Sequence, residues 1–233
     1  MTITDSQRIA ARFVGAAYLF ALPTSMFAEL YVFSQLLDAG SVTQTAHNIA
    51  AHQRLFRLGI ASNFLAFAVD GILITALYLV LGPVRRGLAL LGLVWRTIET
   101  ALLFVALLGD MQVTKLLGAT PYLAAMPPAQ LAMQARLALS GHGAAYNFAL
   151  VLAGMGSTVF ALVWWRSGYV PKWLAGLGIL ASANLAICTF LAIVFPEGPF
   201  TVSFYGGPIF LFELTMGFWL LFKGLPRAPA SAA

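Results

Sequence analysis

Long apolar runs separated by short polar connections dominate the chain. Six runs hold about 18 or more residues each, which is enough for a helix to cross a hydrocarbon core about 30 Å thick. They cover residues 11–34, 58–81, 87–108, 144–165, 174–195 and 204–221. The pattern therefore predicts an all-α fold, an integral membrane bundle of six transmembrane helices in one domain over residues 1–224. The Pro- and Ala-containing tail, 225–233, is predicted to be disordered.

Two longer connections between the runs have helical character of their own. Residues 41–53, SVTQTAHNIAAHQ, and residues 127–140, PPAQLAMQARLALS, each begin with a helix-start signal. Short amphipathic segments next to membrane spans commonly lie at the membrane surface. We therefore predict a short interfacial helix in each of these two outer loops.

The basic residues at the ends of the runs predict the orientation. Eight of them fall on one side of the predicted membrane, in short connections, and four fall on the other side, in longer ones. Cytoplasmic loops carry the excess of Lys and Arg. Both termini are therefore predicted to be cytoplasmic.

The composition agrees with a lipid environment. The chain is 61% hydrophobic and 9% charged, whereas soluble domains carry about 25% charged residues. The net charge of +5 comes from scattered basic residues and not from the clustered patch of a nucleic-acid-binding protein. The predicted partner is the lipid bilayer, with no nucleic acid, and the oligomeric state is left open. The single cysteine, Cys188, excludes an intramolecular disulfide and a CxxC motif.

Ionisable residues inside the predicted spans are the candidates for chemistry. A charged side chain at the centre of a span costs roughly 2.5–3.5 kcal/mol on insertion scales, so such groups are expected to face one another or a wet cavity. At about 100° per residue, Arg96 and Glu99 lie on one face of their helix, and Asp110 lies in the same sector. The predicted ligand-binding or proton-handling residues are Glu29, Asp70, Arg96, Glu99, His142 and Glu213, with Asn63, Asn147 and Asn184 as supporting polar residues. Together they predict a polar cavity that opens, if anywhere, to the outside.

The balance of charges among these residues also bears on function. One buried arginine cannot neutralise the four carboxylates of Glu29, Asp70, Glu99 and Glu213, so some carboxyl groups are protonated or a cation completes the set. Simpler interpretations stay open. Arg96 and Glu99 could form only an intrahelical pair at i, i+3, the other polar groups could only bond helices together, and His142 could be an ordinary loop histidine at the start of a helix.

Common catalytic and cofactor motifs are absent from the sequence. HExxH, GxSxG, Walker A and GxGxxG do not occur. A zinc site would have to combine His142 with two carboxylates such as Glu29 and Glu213, which their spacing does not support. No cofactor and no metal are predicted, and no catalytic residue is assigned.

Three stretches carry a resemblance to a known family. RLFRLGIASNFLAFAVDGILITALYLVLGPV (54–84), HGAAYNFALVLAGMGSTVFALVWWRSGYVPKWLAGLGIL (142–180) and FELTMGFWLLFKG (212–224) resemble the bacterial family called domain of unknown function 4386, a set of small multi-pass membrane proteins. The resemblance covers Arg8 to Gly224 and implies a bacterial plasma (inner) membrane protein without an established activity. The family pattern falls on Arg57, Asp70, Arg96, His142, Gly143, the Ser167 to Pro171 turn and Glu213. This chain has Asn63 where an aspartate is expected in many relatives.

Three functional hypotheses follow. The first is binding or transport of a small ligand or lipid headgroup at the polar cavity, with carboxylate protonation. The second is a membrane-embedded enzyme that acts on a lipid or other apolar substrate with His142 and a carboxylate as acid and base or as metal ligands. The third is a structural membrane subunit in which the buried charges only fix helix packing.

Overall fold

The fold is built from α-helices. The computed structural model describes residues 3–118, 120–199 and 202–226, and no β-strand occurs among them, which confirms the predicted all-α class. The helices are α1 Asp5–Met26, α2 Ser34–Leu36, α3 Val42–Ala51, α4 Gln53–Leu81, α5 Arg86–Leu116, α6 Pro128–Ser167, α7 Lys172–Val194 and α8 Val202–Phe218. A π-helical segment, Phe27–Phe33, joins α1 to α2, a second, Trp219–Lys223, follows α8, and a 3-10 turn covers Pro121–Leu123.

Five described helices are long and apolar enough to cross a membrane. They are Asp5–Leu36, Gln53–Leu81, Arg86–Leu116, Pro128–Ser167 and Lys172–Val194, and each contains most or all of one predicted span. The sixth predicted span, 204–221, corresponds to α8, which has 17 residues, and to the π-helical segment after it. The count of six therefore stays a prediction. The part of the predicted disordered tail from residue 227 onward lies outside the described residues.

The two predicted loop helices have different outcomes. α3 forms as expected, because Ser41 accepts a hydrogen bond from the backbone N–H of Gln44 and caps the helix. In the second segment, residues 128–140 are helical too, but the expected break after them is wrong, since α6 runs without interruption for 40 residues. His142 therefore lies inside a helix and not in a loop. The interfacial location of either segment stays a prediction.

Close helix packing explains why α6 continues through Gly141 and Gly143. Each glycine costs a helix about 0.5–1 kcal/mol relative to alanine. Nearby, α5 approaches α6 so closely that a Cβ atom on Gly109 would lie 3.0 Å from the carbonyl oxygen of Ala138 and 3.8 Å from the Cβ of His142. Tertiary packing supplies most helical stability in proteins, and here it outweighs the local glycine signal.

The chain divides into two compact units. Unit 1 contains the described residues of Met1–Leu22, Val69–Thr100 and Asn147–Ala233, and unit 2 contains Pro23–Ala68 and Ala101–Tyr146. Fully buried Leu77, Trp164, Leu174 and Met216 belong to the core of unit 1. In unit 2, the fully buried large side chains include Val32, Ile49 and Phe56.

The turn between α6 and α7 in unit 1 is tight, as its sequence indicates. Gly168 has a φ of +65°, a left-handed conformation that glycine adopts without steric cost. Ser167 Oγ donates to the carbonyl of Trp164 at 2.8 Å and accepts from the N–H of Tyr169 at 3.1 Å. The chain can therefore reverse direction within four residues before α7 begins at Lys172.

Candidate functional site

One group of predicted site residues meets in unit 1 around a single arginine. We call Asp70 of α4, Arg96 and Glu99 of α5, and Glu213 of α8 the arginine cluster. Arg96 Nη1 donates to Glu99 Oε1 at 3.0 Å and lies 2.9 Å from Glu99 Oε2. Arg96 Nη2 donates to Asp70 Oδ1 at 3.5 Å. The guanidinium thus connects a carboxylate on its own helix to one on α4.

The arginine cluster is largely removed from solvent. The side chains of Arg96, Glu99 and Asp70 are 7%, 4% and 15% exposed, and Glu213 is partly buried. Glu213 lies within electrostatic range of Arg96 and Asp70, but it makes no hydrogen bond or ion pair in the described part of the chain. Because charge interactions strengthen as the dielectric constant falls, the third carboxyl group acts on the Arg96 charge without a bond of its own.

Two residues that the sequence reasoning did not select complete the surroundings of Arg96. A Cβ atom on Gly156 of α6 would lie 2.8 Å from Arg96 Cγ, so the missing side chain makes room for the arginine stem. Tyr18 of α1 is 6% exposed and lies within electrostatic range of Glu213 and Arg96. The sequence feature that could have identified Tyr18 is a phenol group inside an apolar span. Gly156 has no such feature, because only tertiary packing shows what it faces.

The second group of predicted residues lies in unit 2, and we call Glu29, Asn63, Asp110 and His142 the histidine cluster. Asn63 Nδ2 of α4 donates to Glu29 Oε1 at 2.8 Å. Asn63 is fully buried, so Glu29 is held by a donor that water does not reach. Glu29 itself lies in the π-helical segment Phe27–Phe33, and π-helical turns occur frequently at functional sites.

Asp110 and His142 form the other contact of the histidine cluster. His142 Nδ1 of α6 lies 3.0 Å from Asp110 Oδ2 of α5, and Asp110 is 1% exposed. The His142 ring stacks on Tyr146 with centroids 5.6 Å apart and meets the ring of Phe33 edge-on at 6.0 Å. A carboxylate and two aromatic rings therefore fix the orientation of this imidazole. From the sequence, Asp110 was expected only to share the sector of Arg96 and Glu99, and its contact with His142 was missed because His142 was expected in a loop or at the start of a helix.

A cleft of about 820 Å³ lies beside His142 in unit 2. Residues of α5 and α6 form most of its wall, and its polar lining residues are Gln112, Lys115, Gln134 and His142. Ligand sites typically have volumes of roughly 300–1,000 Å³ and a few convergent polar groups. The volume of the cleft falls within that range, and four polar side chains line it.

Two predicted polar residues, Asn184 and Asn147, belong to neither cluster. Asn184 of α7 accepts a hydrogen bond from the thiol of Cys188 at 3.2 Å, and Asn147 of α6 is partly buried. Within residues 3–118, 120–199 and 202–226, no group of three or more His, Cys, Asp or Glu side chains is arranged to hold a metal ion. The structure therefore places the six main candidates in two clusters, one in each unit, and a single cavity that contains all six remains a prediction.

Comparison with known proteins identifies a family but no activity. No curated protein and no solved structure matches the chain. A family model, described as a domain of unknown function (DUF4386), matches residues 13–224. That range contains all six candidate residues and confirms the resemblance found in the sequence. The chain belongs to the DUF4386 family.

Proposed function

We propose that this chain is a six-span protein of the bacterial inner membrane, with both termini cytoplasmic, that binds and transports a small ligand or lipid headgroup at the arginine cluster. The ligand carries a positive charge and exchanges with protons on the carboxyl groups. The observation that carries this proposal is a buried guanidinium that contacts two carboxyl groups, Asp70 and Glu99, and has a third, Glu213, within electrostatic range.

The charge balance of the arginine cluster favours such an exchange. With every group ionised, Asp70, Glu99 and Glu213 contribute three negative charges against the single positive charge of Arg96. Uncompensated charge in an apolar interior is costly, and a buried group neutralises or finds a partner. Protons or a cationic ligand therefore balance the surplus, and one can replace the other.

The contacts also suggest a different role for each residue of the site. Arg96 is already bonded to Glu99 and Asp70, so it holds those two carboxylates in place. Glu213 has no hydrogen bond or ion pair among the described residues, and it is the group best placed to bind a proton and a ligand in turn. Tyr18, which is near both Glu213 and Arg96, offers a hydroxyl that can bond either form of the site.

Proteoliposomes loaded with a pH-sensitive dye test the proposal. Choline, ethanolamine and guanidinium are added outside in turn, and we expect at least one of them to enter in exchange for protons and to make the lumen more alkaline. Glu213→Gln should abolish that signal. Glu197→Gln is the matched control, because Glu197 is exposed in the connection between α7 and α8 and should leave the signal unchanged.

Two results would count against transport at this cluster. The first is a flat signal across the whole cation panel with the wild-type protein. The second is a full signal in a folded Glu213→Gln protein. If Asp70→Asn and Glu213→Gln lower only the yield of folded protein, the buried charges have a structural role.

A second candidate, an enzyme that acts on a lipid or other apolar substrate, is favoured by the Asp110–His142 contact beside the cleft. A histidine oriented by a carboxylate is a common general acid–base arrangement. The 3.0 Å distance between His142 Nδ1 and Asp110 Oδ2 supports the acid–base form of this candidate.

Lipid turnover separates the enzyme candidate from transport. The purified protein is incubated with a total bacterial lipid extract, and the products are followed by mass spectrometry. The enzyme candidate requires a product that disappears in His142→Gln and persists in His47→Gln, which replaces an exposed histidine of α3. Equal product in both variants, or none with the wild type, rejects it.

A further inference from the structure

A second cavity in unit 2 is lined by none of the residues of the two polar clusters. It is a groove of about 790 Å³ between α4 and α5, which we call the α4–α5 groove. Its wall is apolar apart from Arg57 and Thr114, and the hydroxyl of Thr114 already donates to the carbonyl of Met111 at 2.7 Å. Arg57 is therefore the one lining group with an unused capacity to bind a charged partner.

The remaining lining residues are typical of a surface that faces hydrocarbon. Five of them are between 44% and 65% exposed, namely Phe64, Leu65, Val105, Leu108 and Met111. The rings of Phe64 and Phe104 meet edge to face with centroids 5.6 Å apart. Apolar area of this extent would be unfavourable in water. An apolar chain lying in the groove would cover it.

Arg57 and the apolar wall have a defined order along α4. Arg57 and Phe64 are seven residues apart, which places them about 10 Å apart along the helix axis. Arg57 is exposed and forms no ion pair with any residue that the structure describes. An occupant that fits this order has an apolar chain along the wall and an anionic group at the Arg57 end.

We propose that the α4–α5 groove binds an anionic phospholipid, with one acyl chain along the apolar wall and the phosphate at Arg57. A phospholipid is the occupant that fits best, because the bilayer surrounds this face and supplies both parts in one molecule. The placement of the phosphate rests on the orientation proposed above, in which Arg57 lies near the outer surface, where a headgroup lies. A guanidinium binds phosphate through two parallel hydrogen bonds, and a basic residue near a lipid surface raises the affinity for anionic lipid about fivefold.

Competition between lipids in purified protein tests this site. The protein is exchanged into micelles that contain equal amounts of phosphatidylglycerol and phosphatidylcholine, and the retained lipid is counted by native mass spectrometry. We expect a preference for phosphatidylglycerol of about fivefold, which Arg57→Gln removes. Arg54→Gln is the matched control, because Arg54 is exposed one turn earlier on α4 and does not line the groove.

Further variants and outcomes distinguish a specific site from nonspecific attraction between the protein and anionic lipid. Ala61→Phe places a ring in the groove and should lower retention of both phospholipids while Arg57 stays in place. Equal retention of the two lipids by the wild type, or the same loss in Arg54→Gln as in Arg57→Gln, overturns the proposal. In a further experiment oleate is added in an equal amount. Its retention in place of phosphatidylglycerol also overturns the proposal, because the site would then bind a free fatty acid.

Discussion

Arg96 on α5 and Asp70 on α4 lie 3.5 Å apart, with both side chains largely buried. The pair links two helices at a position where neither charge has full access to water. Burying an ion pair costs desolvation energy that the attraction repays only with good geometry and further hydrogen bonds. Glu99 supplies a further hydrogen bond and a close ionic contact to Arg96, so the three residues form one network and should be tested together.

Removing the Arg96 guanidinium should destabilise the protein strongly. Arg96→Leu leaves three carboxyl groups without their cation, and breaking a buried pair by removing one partner costs about 3–5 kcal/mol. Adding Glu99→Leu to that variant should recover part of the loss. The free energy of unfolding is measured by SDS titration in mixed micelles. Arg86→Leu, at the exposed start of α5, should change it by about 0.5 kcal/mol or less, and an equal effect of the two substitutions would refute the role of Arg96.

Gly156→Ala should disturb the arginine cluster without changing any of its residues. The new Cβ would lie 2.8 Å from Arg96 Cγ, and overpacking of a well-filled site costs about 1–3 kcal/mol. The cost cannot be avoided by a simple side-chain rotation, because both ends of the guanidinium are held. Gly143→Ala on the same helix meets nothing within 4 Å and should be neutral or stabilising by up to about 1 kcal/mol. Equal unfolding free energies for the two variants would contradict the close contact.

The sequence predicted the parts of the arginine cluster that follow from helix periodicity. Arg96 and Glu99 had to share a face of α5 because they are three residues apart, and their contact is observed. The contact between Arg96 and Asp70 depends on α4 packing beside α5, and the apolar pattern of the sequence does not specify which helices are neighbours. The Asp110–His142 contact was missed for the same reason. A break was expected between 127–140 and the span at 144–165, whereas α6 is continuous and packs on α5.

The Asn63–Glu29 hydrogen bond should contribute measurably to stability. Asn63→Leu removes the buried donor and leaves the Glu29 carboxyl group without it, which should cost about 1–3 kcal/mol. Replacing both residues with leucine should cost less than the sum of the single changes, since neither polar group is then left unpaired. The double-mutant cycle uses the same SDS titration, and purely additive effects would mean that the bond has no energetic role.

The Asp110–His142 contact should behave as a coupled pair. Asp110→Ala removes the carboxylate that faces His142 Nδ1 at 3.0 Å and should lower stability, whereas Asp110→Asn keeps an oxygen that can accept a hydrogen bond and should lower it less. In an His142→Phe background, which retains the aromatic stacking on Tyr146, the two Asp110 variants should differ little. A difference of the same size in both backgrounds would show that Asp110 acts on some other group.

The number of spans and their direction can be tested with single cysteines. Cys188→Ser gives a cysteine-free background and retains a hydroxyl donor for Asn184, which accepts from the thiol at 3.2 Å. Cysteines are then introduced one at a time at Ser6, which is exposed near the start of α1, at Glu197, which is exposed after α7, and at Ser231 in the tail. The positive-inside distribution predicts that an impermeant maleimide added to intact cells labels position 197 and leaves 6 and 231 unlabelled until the cells are lysed. Labelling of 231 in intact cells would place the C-terminal tail outside and reduce the count to five spans. Lys223 and Arg227 are two of the eight basic residues on the predicted inner side, so that result would also show that these two charges do not hold the chain end in the cytoplasm.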